Sequence, residues 1–102
     1  MQPFDIYNAV FEWQGCQDMR PWLVVDIRPE GVVGCLPIAS QAYGGSSFFL
    51  DSADRDFPAT GLKKSCHIHD SHIYDIPAAN FRKRRGALTG ELLQAFREYA
   101  GV

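Results

Sequence analysis

Only one stretch of this chain, Leu88 to Ala100, repeats its apolar residues at the three- and four-residue steps of an α-helix. Leu88, Leu92, Leu93, Phe96, Tyr99 and Ala100 fall on one stripe. Thr89 occupies the N-cap position, Glu91 lies in the first turn where the helix dipole favours an anion, and Gly101 follows the last turn. Such a helix buries one face against something else. The preceding residues lack that period, so strands and turns must supply what it docks on.

Several segments meet that requirement. Phe4 to Trp13 is rich in aromatic and β-branched residues and reads as a strand. Pro21 to Ile27 (PWLVVDI) is nearly continuous in apolar residues, the pattern of a strand buried on both faces. Arg28 to Gly31 is a turn, and Val32 to Ser40 is a third strand, in which Pro37 requires an edge position or a bulge. Phe48 to Leu50 starts a short fourth strand, and Asp51 to Gly61 reads as an exposed, turn-rich connection. Ser65 to His69 and His72 to Ile76 read as two further strands joined by a turn at Asp70-Ser71, and Ala78 to Arg82 as one helical turn. The expected architecture is mainly β: a small curled sheet or barrel of five or six strands with a terminal helix.

With 102 residues the chain is expected to form a single domain, 1–102, and 46% apolar residues suffice for its core without staples or metals. Three cysteines, Cys16, Cys35 and Cys66, make no CxxC pair, which favours reduced thiols and a cytoplasmic setting. Met1 to Phe11 lacks a basic segment followed by an apolar run, and no stretch approaches the roughly 20 apolar residues of a membrane span. Charge is unevenly placed. Residues 1–62 carry three bases against eight acids, whereas residues 63–102 carry seven bases against four. Lys63, Lys64 and the run Arg82-Lys83-Arg84-Arg85 would offer phosphates a cationic face if they cluster; the plain alternative is that the four adjacent bases are a solvated loop.

Two features could carry chemistry. Arg20 stands where a polar loop enters the buried strand, and Pro21 restricts its backbone to extended conformations. The segment Cys66-His67-Ile68-His69-Asp70-Ser71-His72 holds all three histidines. His67 and His69 share one face of a strand, and His72 would approach from its neighbour. This set fits proton transfer near neutral pH, or zinc with Cys66 or Asp70 as a further ligand. Zinc is disfavoured because Cys66 points away from His67 and no standard ligand spacing occurs. The plain alternative is that the histidines decorate an exposed hairpin.

The order RPWLVVDI, GCLPIASQ, PATGLKKSCHIHDSHIYDIPAANFRKRRGALTGELLQAF resembles the MazF/PemK toxins of type II toxin–antitoxin systems, from about Phe4 to Phe96. That resemblance implies an SH3-like barrel of five to seven short strands with a C-terminal helix, usually a homodimer. It implies a metal-independent endoribonuclease that needs no cofactor, cuts single-stranded RNA such as mRNA, and is blocked by an antitoxin protein. Arg20 matches the family's catalytic arginine. The family's active threonine falls at Ala39, with Ser40 matching the hydroxyl residue after it. Where the PemK branch carries an Arg-x-Asp pair, this chain has His69 and Ser71, with His72 alongside.

Catalysis is accordingly expected from Arg20, Ser40, His69 and His72, and RNA binding from Trp13, Gln41, Tyr43, Lys63 and Lys64. Alanine at position 39 keeps open a second reading, a toxin-fold protein that binds RNA or a partner without cutting. An unrelated small barrel serving as a protein-interaction module is a third.

Overall fold

A computed structural model describes all of residues 1–102. It contains β1 (Asp5–Val10), β2 (Met19–Ile27), β3 (Val32–Ala39), β4 (Ser47–Leu50), β5 (Cys66–His69), β6 (Tyr74–Pro77), β7 (Phe81–Ala87) and α1 (Gly90–Ala100). Two short 3-10 turns lie at Pro58–Thr60 and Ala78–Asn80. The seven strands form one antiparallel sheet in the order β4-β5-β3-β2-β1-β7, with β6 also paired to β3. It curls like a barrel but does not close, since β4, β6 and β7 remain edges.

The continuous apolar run of β2 explains its central place, because Trp22, Leu23 and Val24 are all fully buried. Successive side chains alternate between two faces. On one face Ile6, Leu23, Leu36, Ile38 and Ile68 form a core that Leu92 and Phe96 of α1 cover. On the other, Ala9, Trp13, Trp22, Val24, Cys35, Ala39 and Ile76 form a second cluster. Each large side chain so buried contributes about 1.5–3 kcal/mol.

Several expectations are corrected by long-range pairing. The segments around Asp70-Ser71 are not a hairpin. Both β5 and β6 pair antiparallel with β3, through Ile38 with Ile68 and Cys35 with Tyr74, so they run in the same direction as two halves of one interrupted strand. The interruption lies opposite Leu36 and Pro37, which have no partner on that side; a proline is therefore tolerated in a central strand. The basic run is not a loop but belongs to β7, paired with β1, with Arg82, Lys83 and Arg84 exposed on it. Within the connection 51–61, Phe57 and Thr60 are buried, and the 3-10 turn packs on β7. Gly61 and Gly86 permit that approach: a Cβ on Gly86 would lie 2.2 Å from the Ala59 carbonyl oxygen, and one on Gly61 would lie 2.0 Å from that of Arg85. The helix forms where expected, although its cap is Asp56. Its carboxylate accepts the N–H groups of Glu91 (2.9 Å) and Leu92 (3.3 Å), while the Thr89 side chain makes no capping bond.

Candidate active site

Arg20 pairs with Ala9 of β1, and alternation places it on the same face as Trp22 and Val24. Trp22 lies opposite Pro37, and that register, continued by two residues, sets Ala39 beside Arg20. Ala39 in turn pairs with His67, and His67 with Phe49. One row across the sheet thus reads Arg20, Ala39, His67, Phe49.

The guanidinium of Arg20 lies over the Trp13 ring, 4.9 Å from its centroid, a cation–π arrangement of about 0.5–2 kcal/mol. Its buried Nε has no hydrogen-bond partner, and none of the four ion pairs in the structure includes it. Trp13 is held from below by a two-residue turn. Gln14 and Gly15 both have positive φ, 55° and 73°, and Trp13 and Cys16 exchange backbone hydrogen bonds of 2.9 and 3.0 Å across them. A charged fork is therefore fixed in place with its charge uncompensated.

Above it opens a cleft of about 430 Å³ lined by Arg20, Ala39, Ser40, Tyr43, Lys63, Lys64 and Arg85 among others, with Asp18 as its one carboxylate. Cations outnumber acids, and the hydroxyl of the exposed Ser40 stands at the end of β3. Such a wall is complementary to a polyanion. Cys66 also borders the cleft, but burial pushes its thiol up to about 11, so it stays protonated.

The histidines divide. His69 is only 5% exposed; its Nε2–H donates to the Gln41 carbonyl at 2.8 Å, and its ring lies 5.1 Å from Trp13 and 5.6 Å from Tyr43. Burial lowers its pKa below the ordinary 6.5, the Gln41 carbonyl opposes this, and the neighbouring His67 and Arg20 side chains add to the lowering. It is neutral at pH 7. His67 is half-buried beside Ala39 and, like His69, lies outside the cleft lining; its Nδ1 is 3.2 Å from the Ser47 hydroxyl, and its Nε2 has no partner. His72 is exposed and meets Tyr74 edge to face at 4.6 Å, beside the group that Tyr74 makes with Phe11 and Trp22. Expected to approach from a neighbouring strand, it instead lies in the interruption between β5 and β6 and does not line the cleft.

Of the remaining expected residues, Lys63, Lys64 and Tyr43 line the cleft, and Tyr43 is 42% exposed. Trp13 is 5% exposed, so it supports Arg20 and His69 rather than offering an open stacking surface. Gln41 acts through its backbone carbonyl. No group of three or more histidines, cysteines and carboxylates gathers in a metal-holding arrangement. The expected catalytic and RNA-binding sets left out His67 and Arg85. The first was signalled by its shared face with His69; the second depends on a loop that only folding brings near.

Among solved structures, the Mycobacterium tuberculosis toxin MazF-mt6 is similar with a TM-score of 0.69 at 19% identity, over 95% of this chain and 92% of its own. An endoribonuclease in complex with its cognate antitoxin from a mycobacterial species is similar with a TM-score of 0.67 at 10% identity, over 97% and 89%. The chain has the MazF fold. No family model and no curated protein matches its sequence. On this MazF fold, the row from Arg20 to His67 carries a methyl group at Ala39, buried to 8% exposure, between the guanidinium and the imidazole.

Proposed function

We propose that this chain is a metal-independent endoribonuclease that cuts single-stranded RNA, the toxin of a toxin–antitoxin pair. The observation that carries this reading is the uncompensated guanidinium of Arg20 at a cationic cleft, in one row with Ala39 and His67. Cutting without metal proceeds in one displacement. The 2′-hydroxyl loses its proton, O2′ bonds to phosphorus, the bond from phosphorus to O5′ breaks, and O5′ gains a proton. The products are a 2′,3′-cyclic phosphate and a 5′-hydroxyl. A fixed, forked cation suits the charge that builds on the phosphorane oxygens. Ser40 donates a hydrogen bond to a non-bridging oxygen, and Lys63 and Lys64 hold neighbouring phosphates. The free Nε2 of His67 serves proton transfer, which is typically worth about 10²–10⁴ in rate. His69 stiffens the platform beneath. The endoribonuclease of like fold bound to its cognate antitoxin supports an antitoxin partner here, and a homodimer accords with the family resemblance.

Incubation of the purified protein with a long unstructured RNA in EDTA tests the reading. Cleavage leaving 2′,3′-cyclic ends is expected, and Arg20→Ala lowers it by about 10²–10³, the usual loss for a preorganised charge contact. Undiminished cutting by Arg20→Ala would remove the assignment. A second reading, RNA binding without cleavage, is favoured by the missing hydroxyl at Ala39 and would appear as salt-sensitive binding with no cut.

A further inference from the structure

The four consecutive bases of β7 are not equivalent. Arg84 is paired with Asp5 at 3.1 Å, and Arg82 turns to the Ala79 and Phe81 carbonyls at 3.0 and 3.2 Å. Lys83 and Arg85 instead share a hollow of about 380 Å³ with Asn8, Gly61 and Lys63. The β1–β7 ladder explains the convergence. It shifts register between Ile6 and Tyr7 and again between Tyr7 and Ala9, so Asn8 and Arg85 have no strand partners in it. Bulges of this kind on an edge strand re-aim side chains.

The Arg85 guanidinium is rigidly set. Its Nε and one terminal nitrogen donate to the Gly61 carbonyl at 3.2 and 2.8 Å, and the other donates to Asn8 Oδ1 at 3.2 Å. Gly61 reaches it only because the turn packs on β7 at Gly86. All acceptors are neutral, and no carboxylate pairs with Arg85 or Lys83. The hollow adjoins the cleft, since Lys63 and Arg85 line both.

We propose that the hollow formed by Asn8, Lys83 and Arg85 is a second phosphate subsite, taking the phosphodiester next to the one held at Arg20 on the same single-stranded RNA. The inference rests on the nuclease reading above. None of its five lining residues is apolar, so it lacks the anchoring pocket that a protein partner needs and suits a charged, hydrated backbone.

The test is binding of a random-sequence, 2′-O-methylated oligonucleotide pool in EDTA at several salt concentrations, by fluorescence anisotropy. Lys83 is exposed and makes no hydrogen bond, so Lys83→Ala folds. The slope of log affinity against log salt is expected to fall by about 0.7 in Lys83→Ala, one single-strand phosphate contact. Arg82→Ala, with the same change in net charge one residue away, keeps the wild-type slope. Equal slopes in wild type and Lys83→Ala, or equal losses in both variants, overturn the subsite while leaving RNA binding intact. Loss of polyglutamate binding by Lys83→Ala with RNA binding unchanged overturns it in favour of an acidic protein. Failure of the wild type to bind any RNA removes the nuclease reading, and the subsite with it.

Discussion

At the scale of single residues, two histidines two positions apart sit in different surroundings, His67 half-buried and His69 buried. His67→Ala is expected to lower RNA cleavage by about 10²-fold or more with a smaller loss of stability to urea than His69→Ala, because its Nε2 is free and the ring, only half-buried, makes one hydrogen bond, with Ser47. His69→Ala removes the donor to the Gln41 carbonyl and opens a gap between Trp13 and Tyr43, and should destabilise the fold by about 1–3 kcal/mol. His69 also makes stability depend on pH. Its folded pKa lies below the ordinary 6.5, so the unfolded chain binds the proton more readily. Stability is then full above pH 6.5 and declines as pH falls from there through the lowered native value. Thermal melts between pH 7 and 5 should show this decline, and His69→Gln should flatten it. Arg20 was legible because Arg-Pro opens an apolar run. The partnership of Ala39 with His67 was not, since it depends on the register of strands distant in sequence.

At the scale of elements, the helix illustrates how far local pattern reaches. Its stripe and its stop at Gly101 are written in the sequence, and Gly101 adopts the left-handed conformation with its N–H on the Arg97 carbonyl. Its start is not. Thr89 occupies the capping position, yet Asp56 does the capping from a loop whose approach no local pattern reveals. Asp56→Ala should cost about 1 kcal/mol, the worth of a lost N-cap. Gly90→Ala should cost more, because Gly90 has φ +59° and a Cβ there would stand 2.8 Å from the Asp56 carboxylate oxygens. The two changes together should cost less than their sum, since removing the carboxylate relieves the clash. Urea denaturation of both single variants and the double variant measures this; strict additivity would show that strain in the backbone alone governs Gly90. Strand β7 was missed for a related reason: four adjacent bases carry no strand period of their own, and pairing with β1 supplies what the residues do not.

At the scale of the molecule, half of the six strand pairings skip over intervening strands: β7 returns to β1, and β5 and β6 return to β3. Chains of this topology fold in milliseconds to seconds, because loops must close before any pairing stabilises them. Stopped-flow refolding followed by tryptophan fluorescence should fall in that range, with Trp13 and Trp22 both reporting on the second cluster. Microsecond relaxation would contradict the observed strand order. Six of the seven strands and the terminal helix were legible from alternation and length; β7 and the order of strands were not, the order for the same reason that folding is slow. The open curl has one further consequence. A sheet with free edges at β4, β6 and β7 exposes rows of backbone groups to stray pairing between copies, although Pro77 interrupts the row at β6. The margin at β7 is defended by a dense row of like charge, whereas Ser47-Phe48-Phe49-Leu50 has none, with Phe49 half in water. Crowded or partly unfolded copies of this chain would therefore begin to aggregate along β4.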